Sequence, residues 1–205
     1  MIDFYTFATS NGQRVAIMLE ECGLPYRVHW IDLTQGQQSA PDFLAVNPAG
    51  AIPVIVDAEG PGGKPFTLAQ SGAIVIYLGE KTGKFIPADP VRRLAALQWL
   101  LQATTDVARA SSAIFLVSTL VPEKIPGNTA FFEQQCLRYL RSVDARLATR
   151  DYLADELSIA DFALYPVYAV RKELVDRAGD LPHLARWGNA LAARPAVARA
   201  MQLKG

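Results

Sequence analysis

The sequence predicts an α/β domain followed by an all-helical domain. In the first part, β-type runs of alternating apolar and polar residues take turns with runs of helical spacing, and most of the glycines lie here. The second part is rich in Ala, Leu and Arg, with apolar residues at steps of three and four. A segment with glycine and two prolines, 83–90, separates the two parts. We therefore predict domains at 1–82 and 91–205.

Four strands and three helices are predicted in the first domain. β-rich runs indicate strands at 2–7, 26–33, 52–57 and 65–68, and helical spacing indicates helices at 15–22, 41–46 and 69–78. Gly23 is a C-terminal signal for the first helix, and the glycine-rich segment 60–63 indicates a hairpin turn. The order β-α-β-α-β-β-α implies a sheet with crossover helices, to which the final hairpin adds an antiparallel edge.

The second domain is predicted to contain helices only. Apolar periodicity indicates helical runs at 91–120, 130–148, 181–193 and 195–203. A further helix begins at Ser158, because a serine followed three residues later by an acid, Asp161, is a capping box. We therefore expect Asp161 to serve folding rather than catalysis.

Composition excludes several classes of protein. The chain has 205 residues, 51% of them hydrophobic, with 20 basic and 20 acidic side chains, which is unlike a disordered protein. The zero net charge argues against nucleic acid or an anionic membrane as the main partner, and two cysteines are too few for a disulfide scaffold. Two histidines without ligand spacing argue against a metal site. No secretory signal and no membrane span of ~18 apolar residues is visible, so we expect a cytoplasmic protein.

The first candidate site is Thr9-Ser10-Asn11-Gly12, at the junction of the first strand and helix. Ligands of open α/β sheets bind at the carboxyl ends of strands. A helix N-terminus at that place favours an anion such as a thiolate, to which two hydroxyls and a carboxamide could donate hydrogen bonds. The alternative is helix capping alone, for which Ser, Thr and Asn are the preferred residues.

Two further segments could bind a peptide-like ligand. Pro53 opens a strand, and a cis bond after Ile52 would explain a proline there. Ile52 could then offer its backbone N–H and C=O to an extended ligand. Gln70-Ser71-Gly72 begins a helix whose N–H groups and hydroxyl could bind a carboxylate. Taken singly, each segment has a structural alternative. Pro53 could be an ordinary edge-strand proline, and Gln70-Ser71-Gly72 could be a helix cap alone.

Together these motifs give the chain a resemblance to the cytosolic glutathione transferases, over essentially its whole length. The motifs that carry it are Ile52-Pro53, Gln70-Ser71-Gly72-Ala73-Ile74 and Ser158-Ile159-Ala160-Asp161. A narrower similarity, to the bacterial Nu-class enzymes known for glutathione-dependent disulfide-bond reductase activity, rests on Thr9-Ser10-Asn11-Gly12, Leu19-Glu20-Glu21 and Gln35-Gly36-Gln37-Gln38. The resemblance implies a thioredoxin-like first domain, a helical second domain that completes the substrate site, and a homodimer.

The thiol of such a site would have to arrive with its ligand. A thioredoxin-like domain with its own redox chemistry carries Cys-x-x-Cys at the first helix, whereas this chain has Ser10-Asn11-Gly12-Gln13 there. The resemblance implies that glutathione brings the thiol, with Thr9, Ser10 and Asn11 as candidates for holding its thiolate. It favours Thr9 and Asn11 over Ser10. Tyr5 lies within the first strand, so we expect it to pack in the core.

The resemblance also implies how the rest of glutathione is bound. Ile52, before a cis-Pro53, would pair with the cysteinyl backbone, and Gln70 and Ser71 would hold the γ-glutamyl carboxylate. Many relatives have Glu where Gln70 stands, so this chain keeps the hydrogen bonding and loses a charge for the ligand's amino group. Gln38 matches a position that holds the glycyl end.

Disulfide-bond reduction is the predicted activity, with attack of the thiolate on a small disulfide and resolution by a second glutathione. Conjugation of glutathione to small electrophiles, or hydroperoxide reduction, is the alternative enzyme function. Its substrate pocket would lie in the helical domain at Thr104, Ala108 and Phe115. A non-catalytic partner-binding module is a third possibility, against which the retained polar segments Thr9-Ser10-Asn11 and Gln70-Ser71 argue.

The sequence lacks one side chain that relatives use to bind a second glutathione. Where Nu-class relatives use a basic residue to reach a second glutathione, Phe131 stands here, with Arg138 one or two turns further on. The sequence therefore leaves open whether one or two glutathiones bind.

Cys22 and Cys136 lie on apolar helical faces, so we expect both to be buried and structural.

Overall fold

Residues 1–203 are described by a computed structural model. They form two compact units, one of residues 1–84 with the segment from Arg194 onward, the other of Phe85–Ala193. This grouping differs at one point from the predicted domains, which placed the whole of 91–205 in the helical domain. The last helix of the chain packs instead against the first helix of the sheet-bearing unit.

The first unit is built on a four-stranded sheet. Its strands are β1 (Ile2–Thr6), β2 (Tyr26–Trp30), β3 (Val54–Asp57) and β4 (Phe66–Ala69), in the order β2-β1-β3-β4. β1 and β2 are parallel, whereas β3 is antiparallel to β1 and β4 is antiparallel to β3. The predicted α/β sheet with an antiparallel hairpin at its edge is confirmed.

The three helices near the sheet are α1 (Ser10–Cys22), α2 (Pro41–Val46) and α3 (Ser71–Thr82). α1 and α3 pack against each other. Each ends at a glycine in the left-handed region, Gly23 with φ 70° and Gly83 with φ 65°, where a residue without Cβ is favoured. Tyr5 packs between His29, on which it stacks at 4.4 Å, and Phe43 of α2.

Among the element boundaries that differ from the prediction, the starts of α1 and β3 differ for local reasons. α1 begins at Ser10 rather than at residue 15, because the Thr9 side chain accepts a hydrogen bond from the Gly12 N–H and caps the helix. β3 begins at Val54 rather than at residue 52, because Pro53 has no N–H to give to the ladder. Gly12 itself is required by close packing, since a Cβ there would lie 2.5 Å from the Phe7 carbonyl oxygen.

The second unit consists of helices. They are α4 (Pro90–Leu101), α5 (Ala108–Phe115), α6 (Pro126–Leu147), α7 (Ile159–Val170), α8 (Lys172–Ala178) and α9 (Pro182–Ala192). Wider π-helical turns at Gln102–Val107 and Leu116–Leu120 make 90–120 one continuous helical run, as predicted. Within 1–203 no helix has both the length and the apolar character needed to cross a membrane.

The predicted capping box at the start of α7 is confirmed. The Ser158 hydroxyl accepts from the Ala160 N–H, and the Asp161 carboxylate accepts from the Ser158 N–H at 3.0 Å. Asp161 also accepts from the Leu153 N–H at 3.1 Å and from the indole N–H of Trp187 at 2.9 Å. The one carboxylate therefore joins α7 to the preceding loop and to α9.

The final helix, α10 (Pro195–Met201), is held to α1 by charge pairs. Arg194, just before α10, donates two hydrogen bonds to the carboxylate of Glu21, at 2.6 and 2.8 Å. Arg199 donates to Glu20 at 2.7 Å. Because Glu21 is nearly buried, the bidentate contact specifies how α10 docks on α1.

Candidate functional site

The segments predicted for the site all connect to one end of the sheet, which we call the site edge. Here β1 and β2 finish side by side, with Thr6 opposite Trp30, and β3 begins with Val54 opposite Tyr5. β4 also finishes here, with Ala69 opposite Val54. The loops that follow β1, β2 and β4, and the loop that precedes β3, therefore leave the sheet at the same place. Those loops, and the first residues of α1 and α3 that follow two of them, carry all the residues that the sequence proposed for glutathione.

The N-terminus of α1 is the first part of the site edge. Thr9 has extended backbone and is the N-cap, and its hydroxyl oxygen accepts the Gly12 N–H at 3.1 Å. Its hydroxyl hydrogen is not used by that bond. Asn11 is exposed, and its carboxamide takes part in none of the hydrogen bonds found among residues 1–203. Thr9 and Asn11 can therefore both donate to a ligand.

The loop before β3 is the second part. The Ile52–Pro53 peptide bond is cis, as the sequence predicted. The Asn47 side chain shapes this loop, since its carboxamide donates to the Ala51 carbonyl at 2.7 Å and accepts from the Ala49 N–H at 3.2 Å. Ile52 takes part in none of the backbone hydrogen bonds found outside helices and strands in the described part of the chain. Its N–H and C=O are therefore available to a ligand.

Gln38 lies beside the same loop, in a short 3-10 turn (Gln37–Ser39) after β2. A Cβ on Gly50 would lie 3.1 Å from the Gln38 backbone carbonyl oxygen, so the two segments touch. The side-chain oxygen Oε1 of Gln38 is buried and has no hydrogen-bond partner among the described residues. A buried acceptor of this kind calls for a donor from a ligand or a water molecule.

The N-terminus of α3 is the third part. Gln70 is its N-cap and has φ 71°, a value in the left-handed region that is uncommon for residues other than glycine. Residues held in such conformations concentrate at functional sites. Gln70 is exposed, and Ser71 next to it is buried. The first N–H groups of α3 have no partner within the helix and are left for a ligand at the site edge.

Arg14 is the residue that the sequence analysis did not identify. Its side chain is buried, with 1% of the residue exposed, and its Nη1 donates to the Ser71 Oγ at 3.0 Å. Its Nε and Nη2 are buried without partners in the described structure. Burial lowers the pKa of Arg14 to about 10. A helical pattern could have indicated the burial, because Arg14 lies at four-residue steps from the buried Met18 and Cys22.

Neither cysteine can supply a reactive thiol. Cys22 and Cys136 are free and buried, as predicted. Burial raises the pKa of the Cys22 thiol, and it raises the pKa of the Cys136 thiol to about 11. At neutral pH both are therefore protonated and poor nucleophiles. In the part of the chain that the structure describes, no cluster of three or more His, Cys, Asp or Glu could hold a metal ion.

The helical unit contains an open cavity of about 320 Å³ between its long helical run and α6. It is lined by Thr105, Asp106, Arg109, Ala110, Phe131, Phe132, Gln135 and Tyr139. The residues predicted for a substrate pocket, Thr104, Ala108 and Phe115, are not in this lining. Phe131 does line the cavity. The guanidinium of Arg138 lies over the Tyr139 ring, 4.7 Å from its centroid.

Comparison with protein families agrees with the fold. Residues 9–81 match the family model described as glutathione S-transferase, N-terminal domain. Residues 132–195 match the model described as glutathione S-transferase, C-terminal domain. The chain therefore belongs to the glutathione transferase family, as its sequence motifs indicated.

Two curated relatives from Escherichia coli K12 are named for one activity within the family. The disulfide-bond oxidoreductase YfcG is 35% identical over 204 residues, which cover 98% of this chain and 94% of the relative. The disulfide-bond oxidoreductase YghU is 34% identical over 216 residues, which cover 97% of this chain and 73% of the relative. The narrower resemblance predicted from the sequence is thereby confirmed as well.

Solved structures of similar proteins contain glutathione in two forms. A glutathione transferase from Pseudomonas putida with one glutathione disulfide per subunit has a TM-score of 0.93 and 30% identity, and the match covers 100% of this chain and 92% of that one. One from Burkholderia graminis with two glutathione molecules per subunit has a TM-score of 0.92 and 34% identity, with 100% and 89% covered.

Proposed function

We propose that this chain binds glutathione at the site edge and uses its thiolate to reduce disulfide bonds in small substrates. One observation carries the proposal: a thioredoxin-like site edge is complete in polar groups but has no thiol of its own. Ser10 and Gln13 stand where a redox pair would be, and both cysteines are buried elsewhere. The names of the E. coli relatives support disulfide-bond reduction, and the ligands of the solved structures support the choice of glutathione.

Stabilising the thiolate is the chemical task of the site. A free thiol has a pKa of ~8.5, so a site that binds the anion must lower the pKa. The N-terminus of α1 favours a negative charge through its free N–H groups. Thr9, whose oxygen already accepts from Gly12, can only donate its hydroxyl hydrogen to the sulfur. The Asn11 carboxamide is a second donor, and Ser10 is the third candidate.

The remaining groups fit an extended peptide. Ile52 offers an N–H and a C=O in the manner of a strand, which suits the cysteinyl backbone. The N-terminus of α3, with Gln70 and Ser71, suits the γ-glutamyl carboxylate. Gln38, with its buried unpaired oxygen, suits the glycyl end.

The reaction then needs no group beyond two glutathione molecules. The bound thiolate attacks one sulfur of the substrate disulfide, whose S–S bond breaks as a mixed disulfide with glutathione forms. The released substrate sulfur leaves as a thiolate and takes a proton from water. A second glutathione thiolate attacks the mixed disulfide, giving glutathione disulfide and the second substrate thiolate, which also takes a proton from water; the two glutathione thiols have released two protons to water. The substrate is reduced by two electrons and two glutathiones are oxidised.

Conjugation of glutathione to small electrophiles is the second candidate function. The aromatic cavity of the helical unit favours it, because Phe131, Phe132 and Tyr139 would suit an apolar substrate. It would use the same thiolate without a second glutathione. Phe131 at the position where a basic residue was expected also weakens the case for a second glutathione held by that side chain.

Two measurements test the proposed function. We expect the protein to be retained on immobilised glutathione and to be eluted by free glutathione. We also expect kcat/KM for 2-hydroxyethyl disulfide to exceed that for 1-chloro-2,4-dinitrobenzene, because a thiolate held in an open polar site suits thiol exchange. Absence of binding would refute both enzyme functions and leave a partner-binding module. Faster conjugation than reduction would replace the first function with the second.

We further propose that the chain forms a homodimer and acts in the cytoplasm. Large apolar side chains are exposed along the helical run 90–120, among them Val91 at 76%, Leu94 at 66% and Leu120 at 60%. A surface of this kind is typical of a protein interface. We expect light scattering to give twice the chain mass of 22.3 kDa. A monomeric mass would contradict the dimer.

A further inference from the structure

Arg14 carries a buried charge that the proposed chemistry has not used. Its guanidinium has one hydrogen bond, to the Ser71 Oγ at 3.0 Å, and two nitrogens without partners. Within residues 1–203 no carboxylate forms an ion pair with it. Arginine is rarely buried unless it is paired. An unpaired buried charge is among the costliest features a fold can contain.

The place of Arg14 in the fold suggests what offsets this cost. It lies on α1, one turn beyond the N-terminus that would hold the thiolate, and it reaches across to the first residue of α3. Because Ser71 accepts the bond from Arg14, its own hydroxyl hydrogen is directed elsewhere. The positive charge therefore stands directly behind the helix N-terminus at which a carboxylate would bind.

We propose that Arg14 is a positioning residue whose buried charge is balanced by the ligand, through Ser71, when a carboxylate binds at the N-terminus of α3. This inference rests on the proposed function and names the γ-glutamyl α-carboxylate of glutathione as that group. Arg14 does not touch the ligand: it orients the Ser71 hydroxyl as a donor and adds a positive potential in a region screened from water. The two unpaired nitrogens are the cost of holding that potential in place.

A purely structural Arg14 would behave differently from this. If it served packing alone, its replacement would lower the free energy of unfolding and leave ligand affinity unchanged in the variants that fold. The proposed role predicts that the substitution leaves the stability of the ligand-free protein equal or higher and lowers the affinity for the ligand. Removal of the charge relieves an uncompensated burial in the ligand-free protein, whereas it weakens the bound state.

The experiment compares Arg14→Met with the wild-type protein by calorimetric titration of the full chain with glutathione. Methionine keeps much of the volume and the apolar stem but has no charge. We expect glutathione to bind about tenfold more weakly, with KM raised to the same degree and kcat nearly unchanged. We expect the melting temperature without ligand to stay equal or rise. Arg14→Lys keeps the charge and should restore most of the affinity.

Arg171→Met is the matched control. Arg171 is also partly buried and donates to a serine, Ser111, at 2.8 Å, but it lies in the helical unit. Burial lowers its pKa as well. We expect Arg171→Met to reduce stability and leave glutathione affinity unchanged. If Arg14→Met does not fold, Arg14→Gln replaces it, because glutamine is polar and uncharged.

A ligand without the carboxylate makes the test specific. The probe is 4-aminobutanoyl-Cys-Gly, which is glutathione lacking its γ-glutamyl α-carboxylate. We expect wild type and Arg14→Met to bind this probe equally, since the interaction energy of the pair vanishes when either member is absent. The role of Arg14 would be overturned if wild type and Arg14→Met bound glutathione with equal affinity. It would also be overturned if the substitution weakened binding of the probe as much as binding of glutathione. Either result would leave the proposed function intact. Failure of the wild type to bind glutathione would instead refute the proposed function.

Discussion

Asn11→Ala should lower kcat for glutathione-dependent disulfide reduction about hundredfold, the loss typical when one donor to a developing or bound anion is removed. The side chain is exposed and makes no hydrogen bond with the described part of the protein, so its removal leaves the fold without a lost contact. The loss should come with a higher pKa of the bound thiol, because one donor to the thiolate is missing. The pH dependence of the ultraviolet thiolate absorbance of the bound glutathione measures that pKa.

Ser10→Ala is the matched control for this prediction. Ser10 is the first residue of α1, next to Asn11, and the family resemblance gives it the smaller role. We expect a change in kcat of less than about threefold, well below the loss of an anion donor. Thr9 is less suited to the comparison, because its hydroxyl also caps α1 and its removal would weaken the helix start. If Asn11→Ala were fully active and Ser10→Ala were not, the thiolate would belong to Ser10.

The parts of the fold that the sequence predicts are those set by local rules. Alternation in β1 places Ile2, Phe4 and Thr6 on the buried face. The Ser158–Asp161 capping box depends only on a three-residue spacing, and the structure contains both of its hydrogen bonds. The cis bond before Pro53 was inferred from a proline at the start of a strand. Each depends on neighbours in sequence, so each could be predicted without the tertiary structure.

The features that escaped prediction depend on contacts between distant residues. Arg14 meets Ser71 across 57 positions of sequence, and no spacing rule connects them. The same holds for α10, whose docking on α1 uses Arg194 and Glu21, 173 positions apart. Helical periodicity predicts a helix at 195–203, but not which unit it joins. The cavity of the helical unit is a similar case, since its lining combines residues next to the predicted ones, such as Thr105 and Arg109, with residues of α6 that are distant in sequence.

Asp161→Ala should destabilise the protein by roughly 3–5 kcal/mol, the range for removing one partner from a buried charged network. Asp161 is fully buried and accepts from Leu153, Ser158 and Trp187. Alanine would leave these donors buried without an acceptor, which costs more than the bonds themselves contribute. Urea unfolding followed by circular dichroism measures the loss. Asp151→Ala is the control, because its carboxylate is exposed and pairs with Arg186 at the surface. We expect less than about 1 kcal/mol for the control.

The pH dependence of the free energy of unfolding distinguishes Asp161 from a carboxylate in an ordinary salt bridge. Burial raises the pKa of Asp161 to about 6, against the hydrogen bonds from Trp187, Leu153 and Ser158 that lower it. In the unfolded chain the pKa of the same carboxyl is the ordinary value for aspartate, 3.8. Between these two values the folded state binds the proton more readily, so the stability due to this group falls as pH rises from about 4 to 6. The stability difference between wild type and Asp161→Ala should therefore be larger at pH 4 than at pH 7. A difference that grew with pH would mean that the hydrogen bonds outweigh burial and that the carboxylate is held ionised throughout.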